Sequence, residues 1–173
     1  MRNIELKAKL PDFERALAAC RTLGAQFQGD IHQIDTYFDV PNGRLKLREA
    51  NPGRTELVHY HRPDVAGAKG CDYTLEAVNP TIKAMLAEAL GTLTVVDKVR
   101  TLYLWENVRI HLDRVAGLGD FLEFEAVQPD GAPDEDGFKK LTFLSDQFTI
   151  GEHDYLTHSY LDMQLAASCA HFQ

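Results

Sequence analysis

Apolar and charged residues alternate with a period of two through much of the chain, the pattern of strands that show different chemistry on their two faces. Ile4, Leu6, Ala8 and Leu10 interleave with Glu5, Lys7 and Lys9, which predicts a strand over 4–10. Similar patterns predict strands over 32–39, 44–49, 56–61, 73–78, 94–104, 107–114 and 121–128. Pro41-Asn42-Gly43 joins two of them as a hairpin, and Asn51-Pro52-Gly53 and Gly117-Leu118-Gly119-Asp120 supply further turns. The intervals 63–70 and 129–137 read as loops. Helical spacing replaces alternation over 12–23, where Phe13, Leu17, Cys20 and Leu23 recur and Gly24 stops the run. Helices are also predicted over 79–90, with Ile82, Met85, Leu86 and Leu90 on an apolar side, over 138–148, and over 155–169. No repeat, linker or low-complexity tract divides the 173 residues. The expectation is one α+β domain over 1–173, an antiparallel meander closed into a barrel with helices outside.

The alternation also sorts charge by face. Glu5, Lys7 and Lys9 share a face, as do Arg44, Lys46 and Arg48, Lys98 and Arg100, Arg109, His111 and Asp113, and Glu123 and Glu125. Opposite them lie Leu45 and Leu47, then Val108, Ile110 and Leu112, then Leu122 and Phe124. A sheet with one wet face gives this pattern most simply. Two features favour a charged lumen: the density of charge, and its segregation into basic strands set against the acidic pair Glu123 and Glu125. Charges inside a barrel must neutralise one another or a ligand, because an unpaired buried charge costs several kcal/mol, about 3–5 in practice. A triphosphate bridged to carboxylates by a divalent cation meets that requirement.

Composition narrows the choices. The formal net charge of −8 argues against general nucleic-acid binding, which needs a broad basic surface. No apolar run nears the roughly 20 residues of a membrane helix, and Met1-Arg2-Asn3-Ile4-Glu5 enters the charged pattern at once, so no membrane partner and a cytoplasmic location are expected. Cys20, Cys71 and Cys169 are too scattered for a disulfide framework, and Cys20 reads as core. His59 and His61 share a face, but nearby carboxylates favour an oxygen-ligated metal over zinc. The tyrosines, phenylalanines and Trp105 are expected to pack the barrel exterior. No P-loop or nucleophile-elbow motif occurs.

Several motifs, in order, resemble the CYTH family, which includes class IV adenylyl cyclases and thiamine- or inorganic triphosphatases. They are Asn3-Ile4-Glu5-Leu6-Lys7, Asp35-Thr36-Tyr37-Phe38, Leu45-Lys46-Leu47-Arg48-Glu49, Lys98-Val99-Arg100, Arg109-Ile110-His111-Leu112-Asp113, Gly117-Leu118-Gly119-Asp120-Phe121, Glu123-Phe124-Glu125 and Ser159-Tyr160. The resemblance implies an eight-stranded triphosphate tunnel. It implies metal binding (Mg²⁺ or Mn²⁺) by Glu5, Asp113, Glu123 and Glu125, and phosphate contacts from Lys7, Lys46, Arg48, His61, Lys98 and Arg100. Lys98, Arg100 and Asp113 stand as the catalytic candidates. Two positions depart from the family pattern: Asn3 replaces the first Glu of a Glu-x-Glu-x-Lys strand, and His61 stands where many members carry Lys. Three functions stay open: cyclisation of ATP to cyclic AMP and pyrophosphate, hydrolysis of tripolyphosphate, thiamine triphosphate or a nucleoside triphosphate, and non-catalytic polyphosphate sensing. Related cyclases further imply a homodimer.

Overall fold

The computed structural model describes residues 2–51, 53–61, 65–129 and 131–170. Pro52, Pro63, Asp64 and Asp130, which belong to expected turns and loops, lie outside them, as does Arg62. The elements in order are β1 (Arg2–Lys9), α1 (Phe13–Thr22), β2 (Gln26–Phe38), β3 (Arg44–Asn51), β4 (Arg54–His61), β5 (Lys69–Ala77), α2 (Ile82–Leu90), β6 (Thr92–Trp105), β7 (Val108–Val115), β8 (Gly119–Gln128), α3 (Asp134–Phe148) and α4 (Tyr160–Ala170). A single 3₁₀ turn at Glu152–Asp154 precedes α4. The strands close into an antiparallel barrel in the order β1-β5-β4-β3-β2-β6-β7-β8, with β8 pairing back to β1. Eight strands enclose a space just wide enough for side chains or one small ligand.

The apolar set of each strand faces outward where a helix covers it. Ile4, Leu6 and Ala8 of β1 join Ile110 and Leu112 of β7 and Leu122 and Phe124 of β8, all at most 2% exposed. Against them pack Phe13, Ala16 and Cys20 of α1, and Leu141, Leu144 and Phe148 of α3. Asp12 caps α1 by accepting the Arg15 N–H at 2.9 Å. A smaller cluster, with Tyr37, Tyr60, Val96, Phe121, Tyr160 and Leu161, forms where α4 meets the barrel.

Several boundaries differ from the sequence expectation, among them that of β5, which begins at Lys69, inside the expected loop over 63–70. β2 begins at Gln26 rather than near residue 32, because a register shift between Phe27 and Gly29 against β6 breaks the alternation while pairing continues. α3 begins at Asp134, inside the expected loop. α4 starts at Tyr160 rather than at 155, because Tyr155 bridges Ala8 and the Leu156 N–H donates to the Lys7 carbonyl at 2.9 Å. Ser159 and Asp162 then form a reciprocal cap. The Ser159 N–H donates to Asp162 Oδ2 at 2.8 Å, and the Asp162 N–H donates to Ser159 Oγ at 3.3 Å. α2 lies where expected, but none of its residues is buried, and Met85 is 68% exposed.

Candidate active site

Alternation along the strands delivers charged side chains to a lumen of about 450 Å³. Glu5, Lys7, Lys46, Arg48, Lys98, Arg100, Glu123 and Glu125 all line it. The structure therefore brings together most of the residues singled out from sequence, and the wet-face alternative fails for them: Lys98 is only 2% exposed and Arg100 only 6%.

Asp35 of β2 and Glu123 of β8 each gather several cations. Asp35, fully buried, receives Lys46 Nζ at 3.0 Å, Arg48 Nε at 2.7 Å, Arg48 Nη2 at 2.9 Å and Lys98 Nζ at 2.8 Å. Glu123 receives Lys7 Nζ at 2.9 Å and Arg100 Nη2 at 2.8 Å, and the Nδ1 of His111 lies 3.2 Å away. Burial alone would raise the Asp35 carboxyl, but Arg48, Lys46 and Lys98 overcome it and hold it well below the usual range. Glu123 is held low in the same way, against its burial, by Lys7, His111 and Arg100. Lys98 goes the other way: burial pushes its ammonium down to about 7, because Asp35 is shared and Arg48, Arg100 and Lys46 oppose a further charge.

Asp113 lies behind this wall. Its oxygens accept Arg100 Nε at 2.7 Å, Arg100 Nη2 at 2.6 Å and the Tyr160 hydroxyl at 2.8 Å. It is fully buried and is not among the residues lining the lumen, so the structure sets it against Arg100 and Tyr160 and apart from Glu123 and Glu125, with which a shared metal was expected. His61 is also displaced from expectation. Tyr60, Val58 and Glu56 take the inward positions of β4, whereas His61 is exposed and its ring meets that of His59 at 5.0 Å on the outer face.

The aromatic expectation is corrected too: Tyr37, Tyr60, Tyr73 and Tyr160 line the lumen rather than the exterior. Lys7 Nζ sits 3.8 Å from the centroid of the Tyr160 ring, at the end of the barrel that α4 covers. Sequence reasoning gave no role to Asp35 and none inside the lumen to these tyrosines. The signal for Asp35 was its spacing, since Gln33, Asp35 and Tyr37 share a face. That face was unreadable because Thr36 and Phe38, on the other side, are equally buried.

His111, Glu123 and Glu125 each offer one ligand atom within 4.8 Å of the others. A carboxylate only accepts, so the hydrogen bond to Glu123 puts the His111 proton on Nδ1 and leaves the Nε2 lone pair 3.9 Å from Glu125 Oε2. Burial, with Arg100 nearby, lowers the His111 pKa and favours this neutral ring. Glu5 is the register partner of Glu125 across β1 and β8. Asn3 Oδ1, buried beside the same lumen, has no hydrogen-bond partner among the described residues. Two acceptors facing one another, with carboxylates and an unpartnered amide oxygen nearby, form a donor set that fits a divalent cation.

Comparison with known proteins agrees with this architecture. Adenylate cyclase CyaB of Aeromonas hydrophila is 26% identical over 171 residues, covering 91% of this chain and 86% of that protein. The PH1012 protein of Pyrococcus horikoshii OT3 shares the fold with a TM-score of 0.81 at 26% identity, covering 92% of this chain and 98% of that one. A Hippeastrum protein described as revealing a dominant triphosphatase activity superposes with a TM-score of 0.67 at 17% identity, covering 96% of each chain. The CYTH domain model matches residues 1–160, the span that builds the whole barrel and its lumen, and the chain belongs to the CYTH family.

Proposed function

We propose that the lumen binds the triphosphate chain of ATP together with Mg²⁺ or Mn²⁺ and promotes cyclisation to cyclic AMP and pyrophosphate. The observation that carries the binding of a triphosphate with a metal is the pairing, in one closed lumen, of a cationic wall with a carboxylate–imidazole set. Lys46, Arg48 and Lys98 form the wall on Asp35, and His111, Glu123 and Glu125 form the set. In the reaction the ribose 3′-oxygen attacks the α-phosphorus, the bond to the bridging oxygen of the β-phosphate breaks, and pyrophosphate leaves while the 3′-hydroxyl proton passes to solvent. Arg48, Lys46, Lys7 and Lys98 bind phosphate oxygens. Arg100, oriented by Asp113, stabilises negative charge on the departing pyrophosphate. A cation held by Glu5, Glu123, Glu125 and His111 would supply further neutralisation of the phosphates.

Cyclisation is favoured over hydrolysis by the cyclase that aligns along nearly the whole chain, and by Ile31, Leu102, Tyr73 and Leu75. These give the lumen an uncharged lining against which a nucleoside could rest. Hydrolysis is the second reading, because the same charged walls would serve an inorganic triphosphate and the fold is shared with a protein of triphosphatase activity. Incubation with ATP, tripolyphosphate and thiamine triphosphate, each with Mg²⁺ or Mn²⁺, separates the readings by product. Cyclic AMP and pyrophosphate are expected from ATP. Orthophosphate release alone would transfer the assignment to a triphosphatase, and tight binding without turnover would make the protein a sensor.

A further inference from the structure

Asp35 serves more cations than any other carboxylate described in this lumen. Its Oδ1 accepts Arg48 Nε at 2.7 Å, while its Oδ2 accepts Arg48 Nη2 at 2.9 Å, Lys46 Nζ at 3.0 Å and Lys98 Nζ at 2.8 Å. These cations come from both strands that flank β2: Arg48 is its register partner on β3, and Lys98 stands on β6. Three positive side chains on long stems repel one another and lose rotamer freedom when held together. One carboxylate cannot neutralise three cations, so the group keeps a positive surplus. An ammonium has three donors and gives one to Asp35, so further donors remain for another anion.

We propose that Asp35 is a positioning residue for phosphate recognition: its buried carboxylate draws Lys46, Arg48 and Lys98 to one point and so presets the donors that a triphosphate meets. This rests on the triphosphate reading of the lumen. The opposite role for the same residue is a counter-charge that competes with phosphate for the cations. The two roles predict opposite signs. Removing a competing negative charge tightens anion binding, whereas removing the organiser weakens it even though the lumen becomes more positive. Asparagine suits the test because it keeps the shape but turns one acceptor into an NH₂ group, which would face a donor already present.

Calorimetric titration of the full-length protein with sodium tripolyphosphate, well below the melting temperature of every variant, decides between them. Wild type should bind, and Asp35→Asn should bind about tenfold more weakly or worse, the loss expected when charge-assisted contacts are misplaced. Asp35→Glu keeps the charge but moves the carboxylate by one methylene, and it should also lose affinity; it decides the matter alone if Asp35→Asn does not fold. A purely structural role would lower the melting temperature and leave the dissociation constant of the folded protein unchanged. Unchanged or tighter binding in the variant that folds overturns the positioning role while leaving the triphosphate reading intact. Failure of the wild type to bind sinks that reading and this proposal with it.

Discussion

Arg48 and Arg100 carry the same charge and face the same lumen, yet their neighbours predict different consequences of removing them. Arg48→Ala leaves Asp35 with two cations, Lys46 and Lys98, so the empty protein should lose little stability. Arg100→Ala strands the fully buried Asp113 with only the Tyr160 hydroxyl among its described hydrogen-bond donors, and breaking such a buried pair costs about 3–5 kcal/mol. Both should lose roughly ten- to a hundredfold in kcat/KM if they contact phosphate. Lys9, exposed at the end of β1, is the control, and Lys9→Ala should change stability by under about 0.5 kcal/mol. Kinetics and thermal melts of the three variants test this, and turnover near the wild type in both arginine variants would refute the site assignment. Lys98 adds a pH signature. Its folded pKa, pushed to about 7, lies below the unfolded value, so between these two the unfolded chain binds more protons and stability rises with pH. That stability is lost as pH falls through about 7. Melting temperatures of the empty protein should climb above neutrality in the wild type, and less so in Lys98→Met, which has no proton to release.

At the scale of elements, sequence reading succeeded where a strand alternates cleanly and failed where something interrupts the period. β1, β7 and β8 present apolar residues to α1 and α3 and charges to the lumen, so period-two counting put Lys7, Glu123 and Glu125 on the correct face. On β2 the shift near Gly29 hid the first turn of pairing, and burial on both faces hid Asp35. On β4 the inward set is Glu56, Val58 and Tyr60, so reading His61 by likeness to other chains placed it one residue out of phase. α4 was visible as a helix, but its role at the barrel end was not, because it depends on Tyr160 reaching Asp113 across 47 residues of sequence. Tyr160→Phe keeps the ring over Lys7 and deletes that hydrogen bond. It should cost about 1–3 kcal/mol, since a buried carboxylate loses a donor. Denaturant melts with an unchanged m-value would check it, and a wild-type midpoint would show that the hydroxyl contributes nothing.

For the whole molecule, the lumen is an interior assembled from opposite charges inside a chain whose net charge is −8. Cations and carboxylates meet there because every strand contributes inward side chains to the same closed space, and the ion pairs described above leave the empty barrel largely self-neutralised. A divalent cation must enter this network without dismantling it, and that requirement identifies the carboxylate to test. Glu123 holds Lys7, Arg100 and His111, so replacing it would break ion pairs as well as any metal bond. Glu125 is more loosely tied, with Arg109 Nη1 at 3.5 Å and His111 Nε2 at 3.9 Å, and it stands opposite Glu5. Glu125→Gln should therefore leave the metal-free protein within about 0.5 kcal/mol of the wild type. A cation that binds only the folded state stabilises it by mass action, about 2.7 kcal/mol at a hundred times its dissociation constant. Mn²⁺ or Mg²⁺ should thus raise the melting temperature of the wild type. The same addition should have a much smaller effect on Glu125→Gln, and excess EDTA should abolish both the shift and turnover. The shift is read without substrate, so it tests the metal site independently of the reaction. An undiminished shift in Glu125→Gln would remove Glu125 from the metal site, and full turnover in EDTA would remove the metal from the reaction.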